Sequence, residues 1–210
     1  MTEDHSVTLY DYWRSSSSYR VRIALSLLNA PVALVPVDLL SGEQSTKVNL
    51  ARNPQGLVPT LRIDGVFLTQ SLAIIEYLDE TRSAGFLPKE PVARARVRAL
   101  SMAIAMEIHP VCNLRVARYA TTHSAGRIAQ ADWMRHFISL GLAGVEAMLP
   151  ETASEYCLGR SVTMADLCLV PQLYNARRWN VDLSSMPRCV AIDAHLRAIP
   201  AFARVAPEGS

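Results

Sequence analysis

Between Gly85 and Pro91 the sequence changes character, and that change constrains the fold more than any other feature. Before it, short β-rich runs alternate with apolar helical spacings; after it no convincing strand occurs. Gly85-Phe86-Leu87-Pro88 and then Pro91 punctuate the chain like a linker. The charge balance turns over at the same place. Residues 1–80 carry nine acidic and six basic side chains, whereas residues 91–150 carry three and seven. We therefore expect an α/β domain over residues 1–83, a linker over 84–90 and an all-helical domain over 91–210, a division that a chain of 210 residues accommodates.

In the first part, residues 7–12 are a strand candidate and residues 19–28 have helical spacing. Residues 32–37 are β-rich around Pro36, which suits an edge or irregular strand. A short helix fits 47–51. Residues 58–63 and 66–68 flank Asp64-Gly65, the strongest hairpin signal in the chain. Residues 71–78 then read as a helix with Leu72, Ile75 and Leu78 on one face. The order β-α-β-α-β-β-α predicts a mixed four-stranded sheet with helices packed on it.

In the second part, Val97, Leu100, Ile104, Ile108 and Val111 mark one side of a long helix starting after Pro91. Phe137, Leu140, Gly141, Val145 and Met148 mark another. Thr163-Met164-Ala165-Asp166 has the form of a capping box opening the apolar run 167–170. Pro187 and Pro200 bound a last helix near 190–198. Met102, Met106 and Met148 read as core filler, Trp133 with Phe137 as helix packing, His109 as a hydrogen-bonded structural histidine, and Arg177 as a solvated side chain.

Composition excludes several functions. A net charge of +2 is no nucleic-acid footprint. No run of 18 apolar residues occurs, so a membrane span is not expected. Glu3, Asp4 and His5 do not resemble a secretory signal. Cys112, Cys157, Cys168 and Cys189 lack CxxC spacing and suit the buried thiols of a reducing cytosol; no metal site is expected.

Three segments carry candidate chemistry. Ser15-Ser16-Ser17-Ser18 follows a strand and precedes a helix, where free first-turn N–H groups and the positive helix end stabilise an anion. One serine suffices as a cap, so the others exceed that need. A thiolate suits such a place, since a helix start lowers a thiol's pKa. This part of the chain has no cysteine, so the thiolate would arrive with a ligand. In Asn53-Pro54-Gln55-Gly56-Leu57-Val58-Pro59-Thr60-Leu61, Pro59 is either an ordinary edge residue or a cis proline turning the Val58 backbone toward a ligand main chain. Thr69-Gln70-Ser71 either caps the next helix or holds a carboxylate at its start.

Together these segments resemble the glutathione transferase superfamily. The stretch Tyr12-Trp13-Arg14-Ser15-Ser16-Ser17-Ser18-Tyr19-Arg20-Val21-Arg22-Ile23-Ala24-Leu25 is similar to the signature of the zeta class, the maleylacetoacetate isomerases. Glu107-Ile108-His109-Pro110, Asn113-Leu114-Arg115-Val116, the run from Ala165 to Gln172, and Asn175-Ala176-Arg177-Arg178 also match zeta-class segments, and the similarity spans about residues 7–206.

The resemblance implies a thioredoxin-like α/β N-terminal domain followed by an all-α domain, a homodimer, a cytoplasmic location and glutathione as the bound thiol. Ser15 matches the serine that activates that thiol, with Ser16 and Ser17 beside it. Val58, before the family's cis-proline Pro59, would pair with the tripeptide backbone. Gln70 and Ser71 match the residues that hold its γ-glutamyl carboxylate, and Gln44 its glycyl end. Ser17 stands where the family commonly has cysteine. The implied reaction is cis–trans isomerisation of maleylacetoacetate to fumarylacetoacetate by reversible thiolate addition. Such a cis-enone diacid needs cations, for which Arg14, Arg115 and Arg178 are candidates because guanidinium groups bind carboxylates bidentately. The alternatives are a maleylpyruvate isomerase, a general zeta-type transferase or dehalogenase, and a catalytically silent glutathione-binding interaction protein.

Overall fold

The computed structural model describes residues 7–207; the N-terminal Glu3, Asp4 and His5 lie outside them. The chain divides into two compact units, residues 1–86 with 200–210, and residues 87–199.

The first unit alternates as its sequence does. Strand β1 (Val7–Asp11) leads into helix α1 (Ser16–Leu27) and then strand β2 (Val32–Pro36). A 3-10 turn (Glu43–Ser45) and short helix α2 (Lys47–Arg52) precede the hairpin of β3 (Thr60–Ile63) and β4 (Val66–Thr69), and helix α3 (Ser71–Arg82) follows. The strand order is β2-β1-β3-β4, with β1 parallel to β2 and the other pairings antiparallel. The hairpin turns at Asp64 and Gly65, with φ of 50° and 80°, the left-handed pair that a tight two-residue turn requires. Pro36 ends an edge strand, where its missing N–H costs no ladder bond. Leu9, Val21, Ile23, Leu25, Leu61, Ile74, Ile75 and Leu78 form the core. Ile74 belongs to the buried face of α3, while Leu72 is only half-buried.

The second unit is helical. It comprises α4 (Pro91–Met102), a π-helical segment (Ala103–Ile108), α5 (His109–Val111), α6 (Leu114–His123), α7 (Gln130–Met148), α8 (Met164–Arg178) and α9 (Pro187–Arg197). Val97, Leu100, Ile104 and Ile108 are buried as their spacing predicts, although a π-helical segment interrupts the expected long helix. Trp133 donates from Nε1 to the Val111 carbonyl at 3.0 Å and packs its ring on Phe137, so this pair does join helices.

Four expectations change. The buried face of α7 is Met134, Ile138, Leu142 and Val145, whereas Leu140 is 63% and Met148 46% exposed. Apolar residues surround much of α7, so periodicity leaves the face open and a neighbour decides it: a Cβ on Gly141 would run into the Ile108 side chain. Met102 and Met106 are exposed too and fill no core. Arg177 is not merely solvated, because its Nη2 pairs at 2.5 Å with the buried Asp193 carboxylate and ties α8 to α9. Finally, helix α10 (Pro200–Ala203) packs against α1, with Phe202 fully buried and Arg204 donating to Ser26, so residues 200–207 group with the first unit rather than with the helices before them.

Candidate active site

Most helix starts in this protein are satisfied by their own chain. Thr46 Oγ1 accepts from the Asn49 N–H, Glu90 from Val92 and Ala93, and Asn113 from Arg115. The two donations to Glu90, Val92 first, hold its carboxyl below the usual glutamate range. At α8, Asp166 accepts from the Thr163 N–H and hydroxyl and from the Cys157 N–H, at 2.7–2.8 Å. Burial pushes that carboxyl up against these donations. The α9 start is served from α7: buried Glu146 accepts from the Arg188 and Cys189 N–H groups and the Arg188 side chain.

Helix α3 starts without a side-chain cap, as α7 does at Ala129. Its cap residue Gln70 makes no capping bond; instead its carboxamide donates to Gln55 Oε1 at 2.7 Å. Among the described residues no side chain accepts from the N–H groups of Ser71, Leu72 or Ala73. Gln70 itself has φ 68° and ψ 113°, a backbone conformation that costs a non-glycine residue on the order of 1–3 kcal/mol. Ser71 opens the helix, is buried, and accepts at Oγ from Arg20 Nη1 at 3.2 Å.

The α1 start lies in the same unit. Ser15 caps it, its Oγ accepting from the Ser18 N–H at 3.2 Å, so its own proton is left to donate. Ser16 and Ser17 are buried with only a margin exposed, and Ser18 is fully enclosed. Ser17 donates to the Val58 carbonyl at 3.4 Å, while the Ser18 hydroxyl is buried without a protein partner among the described residues. Arg22 braces the turn before Ser15. Its buried guanidinium pairs with Asp11 at 2.6 Å and donates to the Trp13 carbonyl.

The third segment faces this turn through that Ser17–Val58 contact. The Val58–Pro59 bond is cis. Asn53, almost fully buried, shapes the loop before it by donating to the Leu57 carbonyl and accepting from the Gln55 N–H. Gln44 sits on the 3-10 turn; its backbone carbonyl accepts from Asn49, while its side-chain Oε1 is buried without a partner. Gly56, at φ 62°, brings its backbone so close to the Gln44 carbonyl that a Cβ there would lie 3.3 Å from the oxygen.

The candidate cations are separated by unit. Arg14 adjoins Ser15 and belongs to the first; its Nη2 donates to the Tyr12 hydroxyl at 3.0 Å and its guanidinium lies 4.9 Å from the Trp13 ring centroid. Arg115, exposed in the first turn of α6, and Arg178, exposed at the end of α8 over the Trp179 ring, belong to the second. Arg20 and Asn53 were not singled out by sequence reasoning. The signal for Arg20 was a cation inside an otherwise apolar helical run; for Asn53 it was the Asn-Pro start of a turn. A separate cavity of about 360 Å³, lined by Leu25, Ser26, Asn29, Pro31 and Arg204 among others, lies at the other end of α1.

Open donors, a strained turn and a thiolate-compatible helix start on a thioredoxin-like unit, followed by a helical unit, define the glutathione transferase architecture. Residues 9–86 match the model of the glutathione S-transferase N-terminal domain. The chain is 58% identical to a maleylacetoacetate isomerase of Rhizobium meliloti, over 97% of both chains. It superposes with a TM-score of 0.91 on a holo maleylpyruvate isomerase described as a bacterial zeta-class glutathione S-transferase, at 38% identity and over 97% of this chain and 98% of that one. A maleylacetoacetate isomerase of Anaeromyxobacter dehalogenans, with dicarboxyethyl glutathione and citrate bound in its active site, gives 0.85 at 38% identity over 98% and 97%. The chain belongs to the zeta class of glutathione transferases, the family of the maleylacetoacetate isomerases.

Proposed function

We propose that this protein is a glutathione-dependent cis–trans isomerase that converts maleylacetoacetate to fumarylacetoacetate. One observation carries the reading: at the α1 start the Ser15 hydroxyl accepts from the Ser18 N–H and so is turned into a donor, at the positive end of a helix. The residues present fit a thiol tripeptide, because the α3 start offers unpaired donors to a carboxylate.

Bound glutathione supplies a sulfur nucleophile that adds reversibly to a conjugated cis double bond, so that the bond can rotate before the sulfur leaves. Ser15 donates to that sulfur and, with the first-turn amide of Ser16, favours its ionised form. Ser17, in place of the family's cysteine, removes no nucleophile, since the reacting sulfur comes with the ligand; its bond to Val58 steadies the loop instead. The Val58 backbone beside Pro59 pairs with the tripeptide main chain. Gln70 and Ser71 hold the γ-glutamyl carboxylate, and Gln44 receives the glycyl end. Arg14 is the first unit's candidate for a substrate carboxylate, and Arg115 and Arg178 are the second unit's.

The protein works as a cytoplasmic homodimer. No helix among the described residues is long and apolar enough to cross a membrane. Each unit exposes large apolar side chains that a partner copy could cover, Phe67 in the first and Met106, Leu140 and Tyr119 in the second. Light scattering at twice the mass of one chain is the expected result.

The decisive assay supplies maleylacetoacetate with and without glutathione. Turnover should require the thiol and return it unconsumed. An accumulating thioether, or halide release from haloacids alone, would replace the isomerase by a transferase or dehalogenase; glutathione binding with no turnover would leave a silent module. Maleylpyruvate is the second substrate to test, favoured by the 0.91 superposition on a maleylpyruvate isomerase. Arg178→Ala should raise the substrate KM about tenfold and leave the glutathione Kd within about twofold; an unchanged substrate dependence would remove Arg178 from its role.

A further inference from the structure

Arg20 is the largest fully buried side chain among the described residues, 1% exposed, and it reaches across 51 residues of sequence to Ser71. A guanidinium has five donors and no acceptor, so in the 3.2 Å contact from Nη1 the Ser71 oxygen must accept. The serine's single proton is then directed elsewhere, and among the described residues no protein acceptor takes it. Ser71 lies at the open start of α3, beside N–H groups that nothing caps. The arrangement repeats that of Ser15, whose oxygen is engaged by the Ser18 N–H and whose proton is likewise left over.

We propose that Arg20 is a positioning residue for the bound tripeptide: it turns the Ser71 hydroxyl into a dedicated donor for the γ-glutamyl carboxylate and sets a positive charge behind that subsite. The inference rests on the carboxylate reading of the α3 start given above. A carboxylate only accepts, so its subsite works best when every group in it can only donate. A serine alone is ambivalent, because its hydroxyl rotates between donating and accepting. Arg20 removes that freedom from behind, where solvent does not reach, and a hydrogen bond to an ionised acceptor is worth about twice a neutral one. Since Arg20 issues from α1, the helix that Ser15 caps, one side chain links the two ends of the ligand site.

The test is calorimetric titration of the full-length protein with glutathione and with glutathione amidated at the γ-glutamyl α-carboxylate, alongside steady-state kinetics. Arg20→Gln should weaken glutathione about tenfold, or about 1.4 kcal/mol, while changing binding of the amidated ligand and kcat at saturating glutathione by no more than about twofold. In a Ser71→Ala background the same change should weaken glutathione clearly less than it does alone, leaving only the share that the charge supplies. Arg20→Lys, which keeps the charge and a donor, should retain at least about a third of the preference for glutathione over its amide. The lysine variant also decides the matter if the glutamine variant does not fold. Equal weakening of both ligands by Arg20→Gln, additive losses with Ser71→Ala, or a folded Arg20→Lys protein that binds the two ligands alike would each overturn the proposal. Wild-type affinity in Ser71→Ala would instead overturn the carboxylate reading beneath it, and that result is obtained with Arg20 untouched.

Discussion

The starts of α8 and α3 are both polar, both partly buried and both written as a short Thr- or Ser-containing motif, yet they serve opposite ends. At α8 the chain closes on itself: Asp166 takes three donors from Thr163 and Cys157, and nothing is left to bind. At α3 the cap side chain is spent on Gln55, the backbone of Gln70 is held at φ 68°, and the first-turn amides stay open. A helix start that is satisfied internally contributes stability. One that is left open at a conformational cost keeps unpaired donors, the feature on which the proposed carboxylate subsite rests. The difference lies in where the hydrogen bonds of a segment end, not in its composition.

The contrast can be broken most easily at its closed end. Asp166→Ala should destabilise the protein by about 3 kcal/mol, because two buried N–H groups and a hydroxyl lose their acceptor, and should leave the glutathione Kd unchanged in the folded fraction. Urea unfolding with parallel titration reads both numbers; a folded variant with weakened glutathione binding would erase the distinction. Ser15→Ala comes next, lowering kcat about a hundredfold and raising the pKa of the bound thiol, with about 1 kcal/mol of stability lost with the cap. Following thiolate absorbance against pH separates the two roles, since a cap alone would leave the thiol titration where it was.

Gln70→Gly sharpens the comparison at the open end. Relief of the positive φ should stabilise the protein by about 1 kcal/mol while glutathione binds several-fold more weakly. Stability and affinity falling together would mean that the strained turn holds nothing in reserve. The smallest effect belongs to Glu90, a closed start at the surface. Its folded pKa lies below the ordinary glutamate value because the Val92 and Ala93 amides donate to it. Its contribution is therefore present above the unfolded pKa and is lost as pH falls through the lower, folded value. The Val92 and Ala93 amide resonances should titrate with a midpoint below that of an unstructured glutamate; a midpoint at or above it would show that the cap does not form.

Much of this was legible along the chain. The Asp64-Gly65 hairpin, the edge strand ending at Pro36 and the Thr163–Asp166 pair emerge where the sequence places them, because each depends on residues no more than a few positions apart. The serine run and the Gln70-Ser71 pair were readable as helix starts, but which hydroxyls are enclosed and which cap side chain turns away were not. The exposed Leu140 and Met148 of α7 show the same limit, since a helix apolar on most sides does not say which side its neighbours will choose.

By itself the sequence determined the order of elements, the change from mixed to helical structure near Gly85, and the places where the helices of the first unit begin. Only the tertiary structure decided that Arg20 backs Ser71, that Glu146 serves the start of α9 from 42 residues away, and that residues 200–207 return to α1. The physical reason is range. Turns, caps and periodicity are settled by steric and hydrogen-bonding preferences within a turn or two of chain, whereas a buried donor finds its acceptor only once packing has brought distant segments within about 3 Å.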